Sequence, residues 1–154
     1  MSFDTRDGTR GGRQPDGLVL RLVNKLAVRR IARKGKMTGA RFDALVLVTV
    51  GRRSGEERKS PVGWFPGKDD SWVIVAAAAG GPRNPAWYYN LAANPDQVRI
   101  EIPGRTVPVT PEQLHGAERE EAWQRITTAA PRFAQYQVKT DRELPVIRLT
   151  RRAG

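Results

Sequence analysis

The sequence predicts an α+β fold in which short strands form a small β-barrel and helices lie at its periphery. About six segments rich in β-branched and aromatic residues have the length of strands, and turn residues join some of them as hairpins. One helical pattern precedes the strands and others are inserted among them, so the chain does not follow a βαβ order. No Gly-x-Gly-x-x-Gly pattern occurs, so a Rossmann nucleotide site is not expected.

The composition restricts the chemistry that we expect. The 154 residues suffice for one domain with a hydrophobic core. Cysteine is absent and His115 is the one histidine, so disulfides, metal sites and a Ser-His-Asp triad are not expected. The N-terminus lacks the apolar segment of a signal peptide, and no apolar run approaches the roughly 18 residues of a membrane span, so we expect a cytoplasmic protein.

The positive charge is concentrated in one part of the chain. The formal net charge is +11, and the segment from Arg21 to Lys59 contains twelve Lys and Arg against three acidic residues. Such a segment is typical of proteins that bind nucleic acid, an anionic membrane or an anionic small molecule.

The N-terminal part is predicted as a tail followed by a helix. Residues 1–16 are rich in Gly, Arg and Asp without periodicity, which predicts a disordered tail. Residues 17–35 have apolar residues at helical spacing beside a basic face, which predicts an amphipathic helix. This helix covers a hydrophobic core, lies on an anionic membrane or contacts nucleic acid. Nucleic acid is the least favoured partner, because no recognisable nucleic-acid module accompanies the charge. The folded domain is expected over residues 36–154.

The stretch from Leu45 to Pro61 is the most informative part of the sequence. It begins with the apolar run LVLVTV, which predicts a buried strand over 45–50. A loop with four cationic and two hydroxyl side chains follows: Arg52, Arg53, Arg58, Lys59, Ser54 and Ser60. Guanidinium groups, hydroxyls and backbone N–H groups in a turn favour an anion site. The alternative is a solvated hairpin turn.

The remaining elements follow in order. We expect strands over 62–65, 72–77, 97–102, 105–109 and 144–150, and helices over 85–91, 111–129 and 132–140. The small residues 76–79 leave room for a flat ligand to approach the backbone, and the alternative is a flexible loop.

Three stretches together carry a family resemblance: TVGRRSGEERKSPV (49–62), GGPRNPAWYYNLAANP (80–95) and RFAQYQVKTDRELPVIRLT (132–150). In this order they resemble the deazaflavin-dependent nitroreductase and quinone reductase family of actinobacteria. The resemblance runs from about Val46 to Arg151. It implies a split β-barrel that uses coenzyme F-420, whose anionic tail is held by the basic loop.

The resemblance also implies the site residues. Expected cofactor contacts are Arg52, Arg53, Ser54, Arg58, Lys59, Ser60, Pro61, Val62, Val75, Ala76, Ala77, Ala78, Ala86, Trp87, Tyr88, Tyr89 and Asn90. Expected substrate neighbours are Phe133, Tyr136 and Trp64, and Tyr136 is the expected catalytic residue. A phenol is protonated at neutral pH, so Tyr136 suits a hydrogen-bond donor to the acceptor oxygen.

The expected function is hydride transfer from reduced coenzyme F-420 to an electrophilic acceptor, first of all a quinone. Nitroaromatic and other conjugated compounds are expected as promiscuous acceptors. Ala77 and Phe133 lack hydroxyls that a nitroimidazole-reducing member of the family carries, which argues against nitro-drug reduction. The basic helix suggests peripheral association with the inner face of the membrane, and a homodimer is also expected.

Two alternatives remain at this point. A related split barrel could bind FMN or haem, because the same basic loop suits a flavin phosphate. The barrel could also serve as a non-enzymatic binder of lipid or fatty acid.

Overall fold

The structure is a computed structural model that describes residues 3–11, 17–34 and 43–152, with the side chains of its first helix from residue 24 onward. The elements in chain order are α1 (Gly17–Lys34), β1 (Ala44–Val50), β2 (Glu57–Gly63), β3 (Phe65–Pro66), β4 (Trp72–Val75), α2 (Ala86–Ala93), β5 (Arg99–Ile102), β6 (Arg105–Gln113), α3 (Gly116–Ala129), α4 (Arg132–Lys139) and β7 (Val146–Arg151).

The strands form one curled antiparallel sheet in the order β2-β1-β5-β6-β7-β4-β3. β6 is long enough to serve both halves of this sheet. Its residues 105–108 pair with β5, and its residues 109–113 pair with β7. β2 also contacts β4, which lies far from it in the strand order, so the sheet curls toward itself.

β1 is buried on both faces, which accounts for its continuous apolar sequence. Leu45 and Leu47 face the interior of the curled sheet, while Val46 and Val48 face α1. On α1, Ile31 is fully buried against this outer face. Burial of one such side chain stabilises the fold by roughly 2 kcal/mol. The second half of α1 therefore covers a hydrophobic face of the sheet.

The interior and the far half of the sheet have separate cores. Leu91 of α2 packs with Leu45, Leu47 and Ile100 inside the curl. Ile126 of α3 and Phe133 of α4 pack against the other end of the sheet.

The basic loop is shorter than predicted. It is a tight turn over 51–56, in which Gly51 N–H donates to Glu56 O at 2.8 Å and Gly55 adopts a left-handed φ of 73°. Arg58, Lys59 and Ser60 lie in β2. Pairing with β1 supplies backbone partners that override the turn-like composition of this stretch.

The helix predicted over 111–129 begins later. Residues up to Gln113 continue β6, and α3 begins at Gly116. Glu112 stands opposite Arg148 of β7, and the Arg148 guanidinium donates to the Glu112 carboxylate at 2.5 Å. Tertiary pairing with β7 thus determines the conformation of residues 111–113, which were predicted as the start of a helix.

The N-terminal tail also differs from its prediction. Residues 3–11, which we call the strap, run against the folded domain and make defined hydrogen bonds to it. These partners come from segments more than seventy residues away in sequence, which composition cannot reveal. Of the folded domain predicted over residues 36–154, residues 36–42 and 153–154 lie outside the described residues.

Candidate active site

The turn between β1 and β2 is fastened to α2. Arg52 N–H donates to the Asn90 side-chain oxygen at 3.1 Å. The Arg52 guanidinium carbon lies 4.8 Å from the centre of the Tyr89 ring, a cation–π arrangement. The structure thus brings the basic stretch and the aromatic stretch of the sequence together.

Strand register separates the basic side chains of β2 between two faces. Arg58 is opposite Thr49 and Ser60 is opposite Leu47, so both lie on the interior side of the sheet. Lys59 is opposite Val48 and therefore lies on the face that carries α1. There its ammonium group is 3.1 Å from the Glu101 carboxylate. The structure does not bring Lys59 together with the other predicted cationic residues.

The arginines in and next to the turn remain accessible. Arg58 is 54% exposed, donates to the Ser54 hydroxyl at 3.4 Å and lies 3.7 Å from Glu56. Arg52 and Arg53 are also exposed. This end of the sheet therefore presents guanidinium groups that can bind an anion.

The loop after β4 has an unusual backbone. Ala78 and Ala79 have φ values of 46° and 53°, and Gly80 has a φ of 78°. Non-glycine residues in this left-handed region cost of order 1 kcal/mol or more each and persist only where the surroundings hold them. A Cβ atom on Gly80 would come within 2.7 Å of the Tyr136 carbonyl oxygen, so α4 packs directly on this backbone.

Arg142 holds this loop in place. Its side chain is 4% exposed, and its guanidinium donates to three backbone carbonyls, those of Ala76 at 2.9 Å, Ala77 at 2.7 Å and Gly81 at 3.0 Å. It also donates to the Asn84 side-chain oxygen at 2.8 Å. Burial lowers the pKa of Arg142, but its ordinary value is so high that the group stays charged at neutral pH.

The two predicted substrate neighbours on α4 lie beside this loop. Phe133 is buried and makes edge-to-face contacts with Phe65 and with Tyr136, at ring-centre distances of 5.7 and 5.6 Å. Tyr136 is half-buried, and Ala77 belongs to the same apolar cluster. Trp64, the third predicted neighbour, packs against the interior core.

The aromatic residues of α2 divide into core and surface. Trp87 and Tyr88 are buried in the interior core. The Tyr88 hydroxyl donates to Gln113 Oε1 at 2.5 Å and accepts from Thr5 N–H at 3.1 Å, and burial raises its pKa. Tyr89 is half-buried and reaches the surface, so of the three it is the one placed to face a ligand.

The strap crosses the same region. The Asp7 carboxylate accepts hydrogen bonds from the Tyr89 hydroxyl at 2.5 Å and from Asn84 N–H at 2.8 Å. Gly8 N–H donates to Pro82 O at 2.7 Å. The Asp141 carboxylate accepts from Thr9 N–H at 2.8 Å and from the Thr9 hydroxyl, and these bonds lower its pKa to about 2. The strap thus runs from α2 across residues 81–84 to the end of α4.

Four residues of this site escaped the sequence analysis: Asp7, Asn84, Asp141 and Arg142. Arg142 and Asn84 lie within the motif stretches, but nothing in their sequence context showed that they are buried and paired. Asp7 lay in a segment whose composition predicted disorder.

Two further classes of feature do not occur in the described part of the chain. No cluster of three or more His, Cys, Asp or Glu side chains suited to a metal ion is found there. None of its helices has the length and apolar character required to cross a membrane.

The chain is similar to a set of known proteins. A model of the F-420H(2)-dependent quinone reductase family matches its residues 22–151. An F-420H(2)-dependent quinone reductase of Mycobacterium tuberculosis is 38% identical over 112 residues, covering 71% of this chain and 74% of that protein.

The chain is also similar to solved structures. A structure of an F-420-H2-dependent reductase is 34% identical with a TM-score of 0.61, covering 69% of this chain and 92% of its own. Another, described as a domain-swapped dimer, is 31% identical with a TM-score of 0.62, covering 85% of this chain and 98% of its own. The split-barrel fold predicted from the sequence is confirmed.

Proposed function

The chain belongs to the F-420H(2)-dependent quinone reductase family, and from this premise we propose that it reduces a quinone at the surface between the basic turn and α4. It is an oxidoreductase whose cofactor is coenzyme F-420, as the sequence predicted. The reduced deazaflavin supplies a hydride when it is bound. The protein's own residues bind the coenzyme, orient the acceptor and exclude water.

The residues of the basic turn fit the anionic tail of such a cofactor. Arg52, Arg53 and Arg58 are exposed at one end of the sheet, and Ser54 and Ser60 add hydroxyl groups. Guanidinium forks match phosphate and carboxylate oxygens. Lys59 has no part in this proposal, because it is paired with Glu101 on the opposite face.

The loop over 76–81 fits a flat ring. Its side chains are small, and the left-handed residues Ala78 and Ala79 reach the surface. Arg142 binds the carbonyls of Ala76, Ala77 and Gly81 and holds the loop in place. Phe133 and Phe65 close the apolar side of this region and limit the access of water. Small side chains and a braced backbone orient a planar group at little entropic cost.

We assign Tyr136 as the hydrogen-bond donor to the acceptor. It lies on α4 next to Gly80 and Phe133, half-buried at the edge of the loop. A protonated phenol here can donate to an acceptor oxygen as negative charge develops on it. A quinone presents such an oxygen on a flat apolar ring, which suits the apolar surroundings of Ala77 and Phe133.

The observation that carries the proposal is the contact path from Arg52 through Tyr89, Asn84 and Arg142 to the loop beside Tyr136. Equilibrium titration with coenzyme F-420, followed by fluorescence, tests it together with turnover of menadione by the reduced coenzyme. Binding at micromolar concentration and quinone turnover are expected. Absence of coenzyme binding, or FMN that copurifies, contradicts the proposal.

Acceptor choice is a second part of the proposal. The absence of hydroxyls at Ala77 and Phe133 favours an apolar quinone over a nitroimidazole. We expect menadione to be reduced with a higher kcat/KM than a nitroimidazole under the same conditions. Equal or reversed rates contradict this assignment.

The exposed face of α1 suggests where the enzyme works. Leu26 is 58% exposed and lies among the exposed side chains of Arg29, Arg30, Arg33 and Lys34. We propose that this face binds the anionic inner surface of the membrane peripherally. Sedimentation with anionic but not neutral vesicles is expected, and replacement of Arg29 and Arg33 by Glu should abolish it.

Self-association is also proposed. One of the similar solved structures is a domain-swapped dimer, which supports a homodimer here. Analytical ultracentrifugation is expected to give twice the chain mass of 17.2 kDa, and a monomer at all concentrations contradicts the proposal.

A further inference from the structure

Asp7 occupies a group of hydrogen-bond donors that belongs to the folded domain. The Tyr89 hydroxyl and Asn84 N–H both point at the same Asp7 carboxylate oxygen, at 2.5 and 2.8 Å. The Asn84 side-chain amide donates to the Tyr89 hydroxyl at 3.1 Å, which orients that hydroxyl toward the carboxylate. Two donors that converge on one oxygen are the usual way in which a protein binds an anionic oxygen.

Buried groups hold these donors in position through hydrogen bonds. Asn84 is 5% exposed, and its side-chain oxygen accepts from the buried Arg142 guanidinium. Arg142 makes its hydrogen bonds to uncharged oxygens, so the Asp7 carboxylate is the anion that balances its charge across Asn84. The donors are therefore held on the folded domain by Arg142 and lie in its positive field. The Asn84 side-chain amide also donates to Thr5 O of the strap at 3.0 Å.

The pKa of Asp7 agrees with this geometry. Burial raises it, but the hydrogen bonds from Tyr89 and Asn84 and the charge of Arg142 outweigh that effect, so the pKa lies below its ordinary value. Burial and the Asp7 hydrogen bond raise the pKa of Tyr89, so its hydroxyl remains a donor at neutral pH.

We propose that Tyr89 Oη–H and Asn84 N–H form a subsite for an anionic oxygen of a ligand, and that Asp7 is an internal occupant which the ligand displaces. The subsite stands on these contacts alone. The assignment of its ligand to the coenzyme or to the acceptor rests on the proposed function. Because Asp7 is tethered, it competes at an effective concentration of order millimolar.

The first experiment uses formate as the probe and the amide resonance of Asn84 as the readout. In Asp7→Ala the donors lose their occupant, so formate should shift the Asn84 resonance saturably. In the native chain and in Asp4→Ala the shift should be at least fivefold smaller at equal formate, because Asp7 still fills the subsite. Addition of Tyr89→Phe to Asp7→Ala should remove most of the shift.

The same spectra report whether each variant is folded. An Asn84 resonance that formate leaves unmoved in folded Asp7→Ala overturns the subsite. A shift of the same size in the native chain overturns the occupancy by Asp7.

The second experiment identifies the source of the anionic oxygen. If the coenzyme uses the subsite, Asp7→Ala tightens coenzyme binding severalfold and leaves the KM for menadione unchanged. If the acceptor uses it, the KM falls severalfold and coenzyme binding is unchanged. If neither coenzyme binding nor the KM for menadione changes, the proposal that Asp7 competes with a ligand is overturned.

Asp141→Ala is the matched control, because it loosens the other end of the strap while Asp7 keeps its carboxylate. An equal tightening in Asp141→Ala would attribute the effect to strap mobility and overturn the role of Asp7. If neither the native chain nor any variant binds the coenzyme, the proposed function fails, while the formate titration still decides on the subsite.

Discussion

Cationic side chains on the two faces of the β1–β2 hairpin have different partners. On the face that carries α1, Lys59 pairs with Glu101 and Arg99 pairs with Glu57 at 2.6 Å. At the turn and on the interior side, no carboxylate in the described part of the chain pairs with Arg52 or Arg53, and Arg58 has only the distant Glu56.

The difference arises from strand register. Neighbouring residues of a strand point to opposite faces, so Arg58 and Lys59 acquire different partners although they are adjacent in sequence. Acidic residues on β2 and β5 neutralise the cations of the α1 face. The cations of the other side remain available for a ligand.

The largest effect is expected for the loop over residues 76–81, which we propose to contact the coenzyme ring. Arg142→Met removes four hydrogen bonds to buried oxygens and should destabilise the fold by about 3 kcal/mol, since unsatisfied buried groups are costly. Urea unfolding measures this loss. Coenzyme affinity should fall as well, because the strained loop loses its support. A loss below about 0.5 kcal/mol contradicts the role of Arg142.

The comparison of the two faces is tested most directly by matched variants. Arg53→Ala/Arg58→Ala should weaken coenzyme binding about a hundredfold, since each charge-assisted hydrogen bond contributes of order 1.5 kcal/mol. Lys59→Ala should change the Kd less than about threefold, because Lys59 lies on the opposite face. Fluorescence titration measures both. Equal losses in the two variants would refute the functional separation of the faces.

A smaller effect is expected at Tyr136. Tyr136→Phe should lower kcat for menadione about tenfold and leave the Kd of the coenzyme unchanged, because the hydroxyl acts on the acceptor oxygen. Steady-state kinetics measures kcat, and a binding titration measures the Kd of the coenzyme. If kcat is unchanged with several quinones, Tyr136 is a packing residue. Circular dichroism of the variant serves as the folding control.

The smallest effect is the pH dependence of the strap. Hydrogen bonds from Thr9 and Arg10 hold the pKa of Asp141 at about 2, below the ordinary value of 3.8. A lowered pKa stabilises the docked strap above pH 3.8, and this stabilisation is lost as the pH falls toward 2. Amide hydrogen exchange of Thr9 and Arg10 should therefore show weaker protection at pH 3 than at pH 5, after correction for intrinsic rates. Asp141→Asn should reduce this pH dependence to the part that comes from the lowered pKa of Asp7.

Much of the architecture follows from local patterns. The apolar run of β1, the helical spacing of α1 and the proline-initiated α2 were each predicted, because a buried strand and an amphipathic helix leave periodic signals. The motif stretches also indicated the segments that come together at the candidate site. The predicted end of β6 at Val109 was wrong. The strand continues to Gln113, where Glu112 pairs with Arg148 of β7, which lies far away in sequence.

The sequence by itself determined the family, the split-barrel class, the cofactor and the segments that carry the candidate site, because these depend on residue types in order. Only the tertiary structure decided which basic side chains share a face, since one residue of register reverses the orientation of a side chain. It also decided that the buried Arg142 side chain binds loop carbonyls and that the Asp7 carboxylate accepts hydrogen bonds from Tyr89 and Asn84. These contacts join residues that are distant in the chain, and their energies depend on burial, which no local pattern encodes.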